Sequence, residues 1–311
     1  MAFLWGDERR FNSFSRHCRA HYGGRIQKLP VDAGFSCPNR MSRAYGGCTY
    51  CANEAFTPAY VSASDDVTVQ LEKGKRFFQN RYPINNGYFA YFQSFTNTNA
   101  SVDILREKFG EALQVADIKG LVVATRPDCL SEAVLDYLSE LNTRTHLTVE
   151  LGVESLHDET LAHIHRGHDT TCTQNAFQKL RNREIPVCAH LILGLPNETP
   201  STWLSDIQAI NQLEPQFVKF HQLQIFKNTA IETEYAAFPE RFHTFTAGEY
   251  VCFMADYLER LSPKIVVERF SAEAPPRYLA VSRWQLHRHD VMVREIEDEL
   301  ELRGAFQGCL F

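Results

Sequence analysis

The 311-residue chain has no apolar run approaching the roughly 18 to 20 residues that cross a bilayer, and its longest buried-looking stretches, such as Gly120 to Ala124, are strand-sized. A membrane span is therefore not expected. Methionine (4) and tryptophan (3) are scarce, and no repeat or low-complexity segment interrupts the chain. Hydrophobic residues at 44% and charged residues at 23% lie close to the globular average, which excludes disorder, collagen-like repeats and coiled coil. The first residues, MAFLWGDERRF, carry acid and base close behind the methionine and lack the apolar stretch of a secretion signal, so residence in the cytoplasm is expected. Nine cysteines are too few and too odd in number for a disulfide scaffold.

Excess positive charge is also missing. The net charge of −6 gives no global footprint for nucleic acid. Its distribution is uneven, however. From Met1 to Tyr45 eight Lys/Arg (Arg9, Arg10, Arg16, Arg19, Arg25, Lys28, Arg40, Arg43) face three acids, with Trp5, Phe11, Phe14 and Tyr22 interleaved. Such a segment suits phosphate contacts and base stacking, or is a solvated face. Glu295, Glu297, Asp298, Glu299 and Glu301 fall on a terminal helix expected to be solvated.

Strand-like runs alternate with helical patterns. Strands are expected at Ile26 to Val31, Gly87 to Gln93, Gly120 to Thr125, Leu147 to Val153, Val187 to Leu193 and Phe217 to Gln222. Helices are expected at Val67 to Asn80, Val102 to Ala116, Ser131 to Leu141, Asp158 to Ile164 running on through Thr171 to Arg183, and Thr202 to Leu213. Strand, helix, strand at about 30-residue spacing marks βαβ units on a parallel sheet. Six such units predict an α/β fold, either an open doubly wound sheet or an incomplete barrel, with chemistry at the C-terminal strand ends. After Phe226 come a helix (Ala247 to Leu261), a short strand (Ile265 to Arg269) and the terminal helix, expected as a small C-terminal α/β extension. The expected division is residues 1–24, 25–235 and 236–311.

Cys37, Cys48 and Cys51 cluster within fifteen residues, in Gly34-Phe35-Ser36-Cys37-Pro38-Asn39-Arg40 and Tyr45-Gly46-Gly47-Cys48-Thr49-Tyr50-Cys51. Two thiolates at C-x-x-C spacing can share one centre, and Gly46-Gly47 frees the backbone to wrap around it. Zinc would need a fourth ligand, such as His17 or His21. A cubane held by three thiolates keeps one iron open for an outside ligand, whereas electron carriers usually close all four. A redox C-x-x-C is a weaker alternative, because Cys48 does not open a helix after a strand.

These segments, together with YFQSFTNT, ATRPDCL, ELGVES with HRGHD, and HLILGLPNET, resemble the radical S-adenosylmethionine (SAM) superfamily in its YhcC/YtqA-type branch. More distantly they resemble the Elongator catalytic subunit and oxygen-independent coproporphyrinogen oxidase. The resemblance runs from about Arg25 to Lys227, with Elongator-like similarity around Thr246 to Tyr278. It implies an incomplete (β/α)6 TIM-type barrel that cleaves SAM reductively, with Cys37, Cys48 and Cys51 holding a [4Fe-4S] cluster. It puts Tyr50 at the adenine. The superfamily's Gly-Gly-Glu turn is replaced here, so the methionyl amine falls to Ser94, Thr96 and Thr98. Glu150 and Glu154, four apart on one strand face, are implied at the ribose and amine. Arg166 is implied at the SAM carboxylate, and Ile192 or Leu195 at the adenine, with His190 replacing the usual first glycine. Arg126, Asp128, His221 and Gln222 stand at strand ends facing substrate or SAM. A flavodoxin- or ferredoxin-type reductant is implied, and tRNA or another nucleic acid is the favoured substrate. Zinc-stabilised binding and plain electron transfer remain the other classes.

Overall fold

The computed structural model describes residues 2–43, 46–79, 86–281 and 288–311; Met1, Tyr45 of the cysteine segment and Asn80, the expected helix end, lie outside them. The order of elements is α1 (Phe14–Tyr22), β1 (Gln27–Val31), α2 (Val67–Gln79), β2 (Tyr88–Phe92), α3 (Val102–Leu113), β3 (Ile118–Thr125), α4 (Glu132–Arg144), β4 (His146–Glu154), α5 (Asp158–His163), α6 (Thr170–Arg181), β5 (Val187–Leu193), α7 (Pro200–Ser205), α8 (Ile207–Leu213), β6 (Phe217–Gln222), α9 (Ala230–Ala237), α10 (Ala247–Arg260), β7 (Val266–Arg269) and α11 (His289–Leu302). The strands form one sheet in sequential order, β1 to β7, every pair parallel. The sheet curls into a partial barrel.

Each strand splits its residues by parity. Leu147, Val149, Leu151 and Val153 of β4 join Leu121 and Val123, Ala189, Leu191 and Leu193, and Val218 and Phe220 in the main apolar core, under the helices. The alternate positions, among them Glu150, Gly152 and Glu154, face the lumen. Helix α1 closes the end of the lumen at the strand N-termini: Cys18 packs with Ile26, Phe89, Tyr91 and Val122, and Phe14 against Cys188, Phe217 and Val266.

The last strand, assigned from sequence to an appendage, is hydrogen-bonded into the barrel sheet as its seventh strand, Phe217 to Val266 in register. The long helix expected across residues 158–183 is two helices, parted by His165 and Gly167, both at positive φ. The Thr202 to Leu213 helix likewise divides at Asp206. The acidic face of α11 is not simply solvated, since Glu297 and Glu301 reach Arg9 and Arg10 at 3.8 and 3.9 Å.

Candidate active site

Two layers of polar side chains fill the lumen. In the lower one Glu150, fully buried, accepts from Lys28 Nζ (2.7 Å), Tyr91 Oη (2.6 Å) and Lys219 Nζ, and lies 2.9 Å from His190 Nε2. Glu268 on β7 meets the same two lysines, at 2.5 and 2.9 Å. Two carboxylates thus face two ammoniums. Burial acts to raise the Glu150 carboxyl, but Lys219, Lys28 and His190 overcome it and hold it well below the usual carboxylate range. Burial would lower Lys219, and Glu150 and Glu268 push it up instead. Glu150 therefore has its charge answered by the protein itself. Lys28, Lys219, Glu268 and Tyr91 were not singled out from the sequence. A lysine at alternate strand positions in KLPV and VKFH was the available signal.

The upper layer sits at the C-terminal strand ends, as α/β architecture requires. A cavity of about 230 Å³ opens there, lined by all three cysteines of the cluster and by Tyr50, Thr96, Arg126, Glu150, Glu154, Arg166, His190, Ile192 and His221. The loop after β1 carries the thiols. Gly46 and Gly47 have φ of +84° and +108°, and a Cβ on Gly47 would meet Arg40 Nε at 3.0 Å, so glycine is required for the wrap. Donors converge on the sulfurs: Arg40 Nη2 on Cys51 Sγ (3.3 Å), Asn39 Nδ2 on Cys48 Sγ (3.5 Å) and Arg166 Nη1 on Cys48 Sγ (3.7 Å).

Glu154 ends β4 at φ +67°, just past a register shift between Gly152 and Glu154. That irregularity aims its carboxylate at Arg166, 3.1 Å away. Arg166 also donates to the Gly152 carbonyl at 2.6 Å, and a Cβ on Gly152 would lie 2.2 Å from its Nη2. Burial opposes the Arg166 charge, yet Tyr50, Glu154 and Cys48 push its pKa well up. Arg126 clasps Asp128 through two bonds of 2.8 and 2.7 Å. Among the described residues lining this cavity, the buried atoms left without partners are Arg126 Nη1, Arg166 Nε, His221 Nε2 and Gln224 Oε1; both nitrogens of His168 are likewise buried and unpartnered, outside the lining.

Of the residues implied at SAM, Tyr50, Thr96, Glu150, Glu154, Arg166 and Ile192 share this cavity with the cysteines. Ser94 is buried and does not line it. Thr98 is held behind the wall by Thr125 Oγ1 and the Cys129 carbonyl, 2.5 and 2.6 Å away. Leu195 packs behind Tyr50 and Ile192, against Leu161 and Ile164.

His17 and His21, the fourth ligands a zinc reading would need, stack on each other at 4.0 Å on α1, at the closed end of the lumen. Thiolates sharing one tetrahedral zinc stand about 3.8 Å apart. Among the described residues the three loop sulfurs do not lie within 4.8 Å of one another.

The radical SAM superfamily model matches residues 37–210, and a Radical_SAM C-terminal domain matches residues 215–301. The chain belongs to the radical SAM superfamily. It is 37% identical over 305 residues to YtqA of Bacillus subtilis (strain 168), covering 98% of this chain and 94% of that one. It is 26% identical over 168 residues to the tRNA uridine(34) acetyltransferase of Methanocaldococcus jannaschii, covering 53% of this chain and 28% of that one. In fold it resembles the archaeal Methanocaldococcus infernus Elp3 lacking residues 1–46, with a TM-score of 0.70 at 15% identity, covering 91% of this chain and 64% of that chain. This radical SAM enzyme has a [4Fe-4S] cluster and SAM as cofactors. The residues present fit them: three thiols with converging N–H donors, and beside them unpaired cationic nitrogens suited to a zwitterionic ligand. No helix among the described residues is long and apolar enough to cross a membrane.

Proposed function

We propose that the chain cleaves SAM reductively at a cluster held by Cys37, Cys48 and Cys51, and uses the product to modify tRNA. When bound, the cluster and SAM supply a 5′-deoxyadenosyl radical by one-electron cleavage of the C5′–S bond. The observation that carries this reading is the shared cavity, where three thiols meet buried donors that the protein itself leaves unpaired. Glu154 offers a carboxylate for the methionyl amine or the ribose, with Thr96 beside it. Arg166 and Arg126 offer guanidinium nitrogens to the methionyl carboxylate. Tyr50 and Ile192 give apolar surface to the adenine, and Leu195 supports them from behind. Ser94 and Thr98 hold the β2 turn in place. Glu150 acts through the lower layer, by fixing His190 under the cavity.

The tRNA substrate is supported by the likeness to an enzyme named for tRNA uridine(34). Within the basic N-terminal segment several cations have partners in the chain itself. Arg9 and Arg10 pair with α11, Arg19 with Asp7 at 2.7 Å, Arg43 with Asp32, and Lys28 is consumed in the lumen. Electrons come from a flavodoxin- or ferredoxin-type reductant in the cytoplasm. The three-part division at residues 24 and 235 is likewise a proposal, with β7 tying the extension into the sheet.

The test is anaerobic reconstitution, iron and sulfide counting, and a dithionite assay for 5′-deoxyadenosine, followed by nucleoside analysis of bulk tRNA incubated with the enzyme. About four irons, 5′-deoxyadenosine and a new modified nucleoside are expected. Zinc without iron and intact SAM would refute the catalytic reading, and unchanged tRNA would refute the substrate.

A further inference from the structure

A second chamber, of about 200 Å³, adjoins the SAM cavity on the side of β6 and β7. The two share Gln222, Leu223, Gln224 and Ala272, so they adjoin along those residues. Hydrogen bonds hold these shared residues in place. Gln222 holds both the N–H and the carbonyl of Ala272, at 2.9 and 3.1 Å, and Gln224 Nε2 donates to the same carbonyl at 3.0 Å. Gln224 Oε1 is left buried with no partner. An acceptor buried and unmet costs about 1–3 kcal/mol, which a ligand N–H recovers.

The remaining wall is aromatic and aliphatic. Tyr235 stands edge-on to Phe242 with ring centroids 5.2 Å apart, and His243 edge-on to Phe245 at 4.5 Å. Leu193 and Ile225 complete it. The charged groups of the lining, Glu273 and Arg288, are exposed at the rim. Among the described residues a charged side chain inside would find no buried counter-charge, and an aliphatic one would leave Gln224 Oε1, where the two cavities meet, unmet. A flat ring with apolar faces and an N–H on its edge satisfies both conditions.

We propose that this chamber receives the substrate, and that the group it takes is a nucleobase turned out of its strand. A turned-out base is read by stacking on aromatic and apolar walls and by hydrogen bonds to its edge, and this chamber supplies both. The chamber also gives the C-terminal extension a task, because Phe242, His243, Phe245 and the segment after β7 build most of its outer wall. The proposal rests on the radical SAM reading and narrows its substrate.

Equilibrium dialysis of the reconstituted holoenzyme against each of the four labelled ribonucleosides, with leucine amide as the comparison, tests it. Saturable binding of at least one nucleoside is expected. Ala274→Phe, which fills the chamber, should abolish binding while leaving substrate-free 5′-deoxyadenosine formation unchanged. Gln224→Leu, which removes the acceptor, should weaken binding about tenfold, the cost of one lost hydrogen bond. No saturable nucleoside binding, equal binding by the filled variant, or binding of leucine amide instead would overturn the proposal. Failure of the radical SAM reading would show separately, as wild-type enzyme that forms no 5′-deoxyadenosine.

Discussion

The lower and upper layers of the lumen hold similar groups and treat them in opposite ways. Below, two lysines, two glutamates, a tyrosine and a histidine largely answer one another: Glu150 alone has four partners, and Glu268 Oε2 is the one buried oxygen of the group left unmet. Above, Arg126, Arg166 and His221 keep buried nitrogens with nothing to bind. Buried polar groups are normally satisfied, so a closed layer is architecture and an open one waits for ligands. Charge in a lumen is therefore a poor guide to function until its partners are counted.

The contrast can be broken most sharply at the cysteines. Cys48→Ala should abolish both cluster incorporation and SAM cleavage, measured as iron content and 5′-deoxyadenosine; retention of either would remove Cys48 from the ligand set. In the lower layer, Lys219→Met leaves Glu150 and Glu268 with one ammonium fewer in a fully buried site. Unfolding in urea should show a loss of about 3–5 kcal/mol, the range for breaking a buried ion pair from one side. A loss below about 1 kcal/mol would mean that the layer is not architectural.

Arg126→Ala should weaken SAM binding about ten- to a hundredfold, the worth of one charged hydrogen bond, with a stability loss smaller than that of Lys219→Met because its partner Asp128 is partly exposed. An unchanged Kd for SAM by equilibrium dialysis would place Arg126 outside the site. A further test is a pH slope. Burial, then Arg166 and Arg126, push His168 from 6.5 down to about 3. The unfolded chain gains this proton below about pH 6.5 and the fold does not, so stability falls as pH drops from there toward about 3. The slope from this residue is up to about 1.4 kcal/mol per pH unit, and His168→Gln should flatten it in acid unfolding curves.

Much of this was legible in the sequence for physical reasons. Strand runs such as Val187–Leu193 and Phe217–Gln222 have the bounds expected of them because their helix-facing positions, such as Leu191 and Phe220, are apolar, with polar residues such as His190, Lys219 and His221 at the alternate, lumen-facing positions. The three cysteines and two glycines announced the loop, since the wrap demands positive φ there. What stayed hidden depends on contacts across the barrel. Lys28 and Glu268 are 240 residues apart in sequence, and no local pattern says that they share a pocket. The seventh strand was visible as a strand, but its place beside β6 is set by tertiary pairing. The intramolecular partners of the basic N-terminal segment were hidden for the same reason. Its partners, Glu297 and Glu301, lie at the other end of the chain.

The central claim is that the upper layer presents a cluster with one position left for SAM. Electron paramagnetic resonance of the dithionite-reduced holoenzyme, recorded with and without SAM, tests it most directly. A [4Fe-4S] signal whose g values shift when SAM is added is predicted. A signal that SAM leaves unaltered would mean a cluster with all its positions filled, and the open nitrogens of the upper layer would need another ligand.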